Sequence, residues 1–345
     1  MTSETKAGLL ARLEAGPVIC AEGYLFELER RGYVQAGPFV PEVVLDHPDE
    51  VAALHRQFVH AGSDVVEAFT YYGHREKLRV VGKDGLLEPL NRQALALASE
   101  VAQESGSLLA GNVCNTNIYD STDRDVQAQV RDMFAEQVGW AAEAEADFVI
   151  GETFWYGAEA LSALEVIRDA GLPAVITLAV HRDPVTREGW SIPDACRRLA
   201  EAGADVVGLN CIRGPQTMLP LLADVTAAVD VPVAALPVPY RTHAEQPSFQ
   251  SLRDPRSDRQ PFPTGLDPFT CTRHEIADFT RDAKELGVKY FGLCCGAAPH
   301  HVRAMAETLG RKPAASAYSE DMSKHAFLGT DPKLASQDDG IGERL

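Results

Sequence analysis

The sequence has no long apolar run. No stretch of about 18 consecutive apolar residues occurs in its 345 residues, and a helix needs a run of that length to span a membrane. The first 16 residues include Glu4, Lys6, Arg12 and Glu14, and they contain no apolar core of the kind that a signal peptide has. We therefore expect a cytoplasmic protein with no membrane attachment.

Positive charge is also scarce. The chain has 32 Lys and Arg against 50 Asp and Glu, which gives a formal net charge of −18. Such a surface repels the phosphates of nucleic acids, so we expect no nucleic-acid partner.

Cysteine is sparse as well, with seven residues in the chain. An odd number at low density argues against a disulfide scaffold and favours reduced thiols. The hydrophobic share of 45% and the charged share of 24% are those of an ordinary globular protein with a large core.

Short apolar runs alternate with amphipathic segments along the chain. Because the runs are continuous, they predict parallel strands buried on both faces. The eight runs are 17–21, 64–68, 108–113, 147–151, 174–178, 205–210, 231–236 and 290–294. The predicted helices are 49–60, 92–103, 126–146, 158–170, 194–202, 217–228 and 275–286.

Glycines mark where several of these helices should end. Gly62, Gly106, Gly171, Gly203 and Gly287 stand where a left-handed residue commonly terminates a helix. Eight strands alternating with helices predict a (β/α)8 TIM barrel. A doubly wound sheet is the alternative, but no G-x-G-x-x-G motif follows the first strand.

Two connections are too long for a simple barrel repeat. Residues 24–48 follow the first strand and residues 240–270 follow the seventh. In a barrel such loops lie at the C-terminal mouth, where active sites form. We expect the barrel to occupy residues 1–310. A short polar tail over 311–345 would be either disordered or an arm that contacts a second subunit of a homo-oligomer.

Three cysteines lie at the ends of two predicted strands. Cys211 ends the sixth in GLNC, and Cys294 and Cys295 end the eighth in GLCCG. These strands are next-but-one neighbours in a closed barrel, so their ends converge, and three thiols there suit zinc with a fourth position open. Gly296 would provide the turn that lets adjacent cysteines both bind. Core packing or a redox pair are the alternatives.

The sequence resembles the homocysteine S-methyltransferase family, and its betaine branch in particular. The similar stretches are GLNC at 208–211, GLCCG at 292–296, and residues 29–41, 47–72 and 287–307, within a resemblance that covers about residues 8–310. It implies a zinc-containing barrel with Cys211, Cys294 and Cys295 as ligands. The implied reaction is methyl transfer from a cationic donor, glycine betaine, to homocysteine, giving methionine and dimethylglycine.

The resemblance also implies a site for homocysteine. Glu22 and Glu152 follow the first and fourth strands, and we expect them to hold the ammonium group by charge-assisted hydrogen bonds. In the betaine branch an Asp stands where this chain has Glu22. Asn210, next to Cys211, is expected to orient the substrate or the thiolates, although a structural cap is an equal alternative.

Aromatic residues near the same mouth are expected to contact the donor. Phe39 and Tyr72 are the two that we predict to hold a methylated cation through cation–π attraction. Phe39 matches a Trp of the betaine branch, and Thr153 replaces an aromatic residue. Alternative donors are therefore S-methylmethionine or another sulfonium or betaine compound. A different class of function is a non-catalytic barrel that senses zinc or thiols.

Overall fold

In a computed structural model, which describes residues 6–334, eight parallel strands form a closed barrel, as the sequence predicts. Each strand pairs with the next along the chain, and the eighth pairs with the first. The strands are β1 Val18–Ala21, β2 Val65–Glu67, β3 Leu108–Cys114, β4 Phe148–Phe154, β5 Ala174–Leu178, β6 Val206–Asn210, β7 Val233–Leu236 and β8 Tyr290–Leu293. All their residues are buried, which explains why the apolar runs do not alternate.

The helices surround this barrel, and all seven predicted helices are present. They are α1 Leu9–Ala15, α2 Tyr24–Arg30, α3 Val43–Asp46, α4 Pro48–Ala61, α5 Arg75–Val80, α6 Leu87–Ser105, α7 Arg124–Glu143, α8 Gly157–Asp169, α9 Ile192–Glu201, α10 Pro215–Thr226, α11 Arg273–Glu285 and α12 Pro299–Thr308. The five glycines predicted to terminate helices all have positive φ, between 70° and 117°. Of the other five helices, α1, α2, α3 and α5 were not predicted, because each has seven residues or fewer and shows little periodicity. The fifth, α12, begins at Pro299, a residue type that favours the first turn of a helix.

Side-chain caps define where several helices begin. The Thr272 hydroxyl accepts a hydrogen bond from the backbone N–H of Glu275, and the Glu275 carboxylate accepts one from the backbone N–H of Thr272. This reciprocal pair satisfies two N–H groups at the start of α11. The side chain of Asp123 caps the N-terminus of α7, and that of Ser191 caps the N-terminus of α9. These helices therefore start at positions that the local sequence specifies.

The two long connections pack against each other through aromatic rings. Phe26 lies 5.7 Å from Phe39 and 5.9 Å from Phe249, measured between ring centroids. Phe249 in turn contacts Phe262 edge-on at 5.0 Å. Aromatic pairs at these separations stabilise each other beyond simple burial. The loops after β1 and β7 thus form one layer beside the mouth.

The chain beyond α12 runs back along the outside of the barrel. The Arg311 guanidinium forms an ion pair with Asp64, and Ala315 is buried. Tyr318 is 80% exposed. Residues 335–345 of the predicted tail lie outside the described residues, so the boundary at residue 310 and the role of the tail stay predictions. Within residues 6–334, no helix has the length and apolarity needed to cross a bilayer.

A pair of glycines tests the packing of the barrel. A Cβ on Gly208 in β6 would lie 2.1 Å from the Ala234 carbonyl oxygen, whereas nothing lies within 4 Å of a Cβ on Gly139 in α7. Gly208→Ala should therefore lower the free energy of unfolding by about 2–3 kcal/mol or more. Gly139→Ala should raise it by about 0.5–1 kcal/mol. Urea unfolding followed by circular dichroism measures both, and a Gly208→Ala protein as stable as the wild type would contradict the close approach of β6 and β7.

Candidate metal and substrate site

Three thiols meet at the C-terminal mouth of the barrel. The sulfur of Cys295 lies 3.9 Å from that of Cys211 and 3.9 Å from that of Cys294. All three sulfur atoms lie within 4.8 Å of one another. Two thiolates bound to zinc at 2.3 Å with a tetrahedral angle would be about 3.8 Å apart. The three cysteines that the sequence singled out thus have the spacing that a tetrahedral zinc site requires.

The backbone turns sharply at these cysteines. Cys211 has a φ of 56° and Ile212 a φ of 59°, so the chain leaves β6 through left-handed conformations that side chains rarely adopt. Gly296 has a φ of 95°, and a Cβ there would lie 2.2 Å from the Tyr240 hydroxyl. Glycine at 296 therefore provides the turn, as the sequence predicted, and the structure shows that it also provides space for the Tyr240 hydroxyl.

Arg30 holds the turn after Cys295 from the other side. Its Nη2 donates a hydrogen bond to the Tyr240 hydroxyl at 2.8 Å, and its Nη1 donates one to the Gly296 carbonyl at 3.2 Å. Tyr240 is fully buried. The end of α2 is thereby fastened to the loop that carries two of the three thiols.

Two carboxylates lie directly beside the thiols. Oxygens of Glu22 and Glu152 and the sulfur of Cys294 all lie within 4.8 Å of one another. Glu22 follows β1, while Glu152 lies inside β4 and pairs with Cys114 of β3. Burial, reinforced by nearby carboxylates, raises the pKa of Glu22 well above its usual range, and burial raises the pKa of Glu152 to about 7. The structure therefore brings together the two acids that were expected to hold an ammonium group.

Glu22, Glu152, Cys294 and Cys295 line a buried cavity, together with a third carboxylate and an amide. The sequence analysis predicted neither of these two. Glu67 ends β2 and is 3% exposed; Asn112 lies in β3 and is 5% exposed. Asn112 Nδ2 donates to Glu67 Oε1 at 2.6 Å and to Glu152 Oε1 at 2.7 Å. Burial and the charge of Glu152 raise the pKa of Glu67 well above its usual range. The available signal was a polar residue within an otherwise apolar run, in DVVEA and in LLAGNV.

Asn210 orients Glu152. Its Nδ2 donates to Glu152 Oε2 at 2.7 Å, and its Oδ1 accepts from the Thr153 backbone N–H at 2.9 Å. The same Nδ2 lies 4.0 Å from the sulfur of Cys294. Asn210 therefore links the carboxylates to the thiols.

The two predicted donor-contact rings, Phe39 and Tyr72, are not among the residues that line this inner cavity, although the Tyr72 ring lies 4.4 Å from that of Tyr71. Phe39 packs on Phe26 in the loop layer, and Lys77 Nζ lies 4.5 Å from the centre of the Tyr72 ring. Tyr71, the residue before Tyr72, does line the cavity. Phe39 and Tyr72 have φ values of 51° and 59°, so both rings are held by unusual backbone conformations at the mouth.

The cavity presents oxygen and sulfur atoms without a basic side chain among its lining residues. Its polar lining consists of Glu22, Glu67, Glu152, Asn112, Tyr24, Tyr71, Cys294 and Cys295. Both oxygens of Glu22 lack a hydrogen-bond partner within residues 6–334. Buried acceptors without donors are costly, so the arrangement suits a ligand that carries positive charge and N–H groups.

Comparison with known proteins agrees with this chemistry. The sequence model of the family described as homocysteine S-methyltransferase matches residues 19–309. Betaine–homocysteine S-methyltransferase 1 of Xenopus tropicalis is 38% identical over 313 residues, which cover 88% of this chain and 76% of that protein. The S-methylmethionine–homocysteine S-methyltransferase BHMT2 of Mus musculus is 34% identical over 317 residues, covering 89% and 83%.

Solved structures show the same fold. The metallated form of the homocysteine methyltransferase MmuM from Escherichia coli superposes with a TM-score of 0.67 at 18% identity, over 86% of this chain and 97% of that one. Its apo form superposes with a TM-score of 0.62 at 17% identity, over 85% and 96%.

The Arg30–Tyr240 contact can be tested against a matched tyrosine. Tyr240→Phe removes the acceptor of Arg30 Nη2, so the free energy of unfolding should fall by about 1–2 kcal/mol. Tyr290 is equally buried, but its hydroxyl has no nitrogen or oxygen partner within residues 6–334. Tyr290→Phe should therefore not lower the free energy of unfolding. Equal effects of the two substitutions in urea unfolding would show that the Arg30 bond does not stabilise the loop.

Proposed function

The chain belongs to the homocysteine S-methyltransferase family, and from this premise we propose that it binds zinc through Cys211, Cys294 and Cys295 and methylates homocysteine with a small cationic donor. It is a methyltransferase. The observation that carries the proposal is the set of three thiols, spaced for one tetrahedral ion, beside buried carboxylates in a cavity without a basic lining residue.

The three cysteines would leave one tetrahedral position for the substrate. When bound, zinc would keep the thiol of homocysteine in its nucleophilic thiolate form at neutral pH. The protein contributes by fixing where that sulfur lies, because the turn at Gly296 and the left-handed Cys211 restrict the three thiols.

Glu22 and Glu152 would bind the ammonium group of homocysteine. Both are buried within 4.8 Å of the Cys294 sulfur, and Glu22 has no other hydrogen-bond partner within residues 6–334. Asn210 and Asn112 donate to Glu152 and keep its oxygens in place. Charge-assisted hydrogen bonds from the ammonium to carboxylates this close to Cys294 would orient the substrate sulfur toward the thiols.

Methyl transfer then needs chiefly alignment of two reactants. The substrate sulfur forms a bond to the methyl carbon as the carbon–nitrogen bond of a betaine breaks, and the leaving amine keeps the electron pair. A quaternary ammonium thereby becomes a neutral amine. Surrounding thiolates and carboxylates attract such a cation, and Phe39 and Tyr72, which lie on the loops outside the inner cavity, would offer it aromatic faces as the donor approaches. Glycine betaine is accordingly the proposed donor.

S-Methylmethionine is the second candidate donor. A mouse relative with that donor in its name is nearly as similar as the betaine enzymes. The family resemblance also implies that Phe39 stands where the betaine branch has Trp and that Thr153 stands where it has an aromatic residue. A smaller ring at position 39 leaves room for a bulkier sulfonium.

The metal assignment predicts that zinc and activity are lost when one of the three cysteines is replaced, but not when a cysteine elsewhere is replaced. Cys294→Ala should reduce zinc from about one ion per chain to a trace and abolish methyl transfer, because two thiolates hold zinc much more weakly than three. Cys196→Ala is the matched control, since that buried thiol lies in α9, away from the trio. Atomic absorption of the purified variants measures the metal, and full zinc with full turnover in Cys294→Ala would refute the assignment.

The donor proposal predicts the outcome of a substrate panel. Initial rates at fixed homocysteine should be highest with glycine betaine, and Phe39→Trp should lower the KM for betaine by up to about fivefold, because Trp attracts cations more strongly than Phe. Phe327→Trp, on the exposed segment after α12, should leave that KM unchanged.

Two outcomes of the panel would change the conclusion. A preference for S-methylmethionine over betaine would replace the first donor with the second. Turnover restricted to an uncharged methyl ether would contradict a cationic donor altogether.

A further inference from the structure

The amide of Asn112 is held between two carboxylates. Its Nδ2 donates to Glu67 Oε1 at 2.6 Å and to Glu152 Oε1 at 2.7 Å. All three side chains are at least 95% buried and line the same cavity. Since an amide nitrogen has two protons, both are used in these contacts.

These contacts determine which way the amide points. If the amide were turned over while Glu67 and Glu152 are ionised, its oxygen would face two carboxylate oxygens with no proton between them, and the contacts would be repulsive. Beside ionised neighbours, as expected when an ammonium group is bound, the nitrogen therefore points toward Glu67 and Glu152 and the oxygen away from them.

The oxygen of Asn112 is left without a donor. Asn112 Oδ1 and both oxygens of Glu22 are buried and have no hydrogen-bond partner within residues 6–334. Each such acceptor loses its bonds to water without a replacement, which is costly. Three unsatisfied acceptor atoms on two lining residues, in a cavity without a basic lining side chain, indicate a ligand that is rich in donors.

A primary ammonium group supplies three N–H donors and no acceptor. We propose that Asn112 Oδ1 is the third acceptor for the ammonium of homocysteine, alongside Glu22 and Glu152, and that Glu67 is a positioning residue that orients Asn112. This inference rests on the proposed function, and it extends it to substrate selectivity. With three acceptors around one nitrogen, the site selects a primary amine over an N-methylated one.

The test compares homocysteine with N-methylhomocysteine, whose nitrogen has two N–H groups instead of three. The methyl group should face Asn112, because a neutral oxygen is a weaker acceptor for a cation than a carboxylate is. Asn112→Ala should therefore lower kcat/KM for homocysteine by roughly 10- to 100-fold, as expected for one hydrogen bond to a charged group. For N-methylhomocysteine the same substitution should change kcat/KM by less than about threefold.

Two substitutions at Glu67 test the positioning role separately. Glu67→Gln keeps an oxygen that accepts from Asn112, so the KM for homocysteine should stay within about threefold of wild type. Glu67→Leu removes that acceptor and frees the amide, so the KM should rise by roughly tenfold while kcat, the KM for the donor and the zinc content stay unchanged. Should Asn112→Ala fail to fold, this pair decides the question, with thermal unfolding as the check on each protein.

The outcomes separate this inference from the function on which it rests. Wild-type enzyme that uses 4-mercaptobutyrate, which lacks the amino group, as well as homocysteine would overturn the ammonium pocket and the role of Asn112 with it. Wild-type enzyme that rejects 4-mercaptobutyrate, combined with an Asn112→Ala variant that keeps the full preference for homocysteine over N-methylhomocysteine, would overturn the inference alone. Equal KM values for Glu67→Leu and Glu67→Gln would overturn the positioning role.

Discussion

Pairing of β1 with β8 closes the barrel, and the site depends on that closure. Cys20 lies opposite Gly292, and Ala21 opposite Leu293. A Cβ on Gly292 would lie 2.2 Å from the Cys20 carbonyl oxygen, so the two strands reach this separation because residue 292 has no side chain. Closure places Glu22 next to Cys294, although the two are 272 residues apart in the chain. The cluster of Glu22, Glu152 and Cys294 would therefore not form in a sheet left open between β1 and β8.

The cavity beside this junction contains several carboxylate and amide oxygens, and only some of them accept a hydrogen bond from the protein. Asn112 and Asn210 donate to Glu152, while Glu22 receives no donor within residues 6–334. Left-handed conformations at Cys211 and Thr153 add strain at the same place. Unsatisfied buried acceptors and strained backbone lower the stability of the free protein, and such features are expected where a bound ligand compensates for them. A metal cation and a substrate ammonium are the two groups that would do so here.

The sequence predicted the barrel and those site residues that lie at the ends of strands. Continuous apolar runs and helix-ending glycines predicted eight strands and seven helices, and adjacency of strand ends predicted the meeting of Cys211 with Cys294 and Cys295. Glu67 and Asn112 escaped prediction because buried parallel strands do not alternate between polar and apolar residues, so the pattern does not reveal which polar side chain faces the cavity. Phe39 and Tyr72 lie on loops, where left-handed backbone conformations that composition does not specify decide where a ring points.

Zinc K-edge X-ray absorption of the purified protein, with and without homocysteine, would count the sulfur atoms bound to the metal directly. Three cysteine thiolates and one open position predict three sulfur ligands with one oxygen or nitrogen ligand before homocysteine is added. After homocysteine is added, the count should rise to four sulfur ligands near 2.3 Å. A first shell that stays unchanged on adding homocysteine, or that contains two or fewer sulfur atoms at the start, would contradict the binding of substrate sulfur at a three-cysteine zinc site.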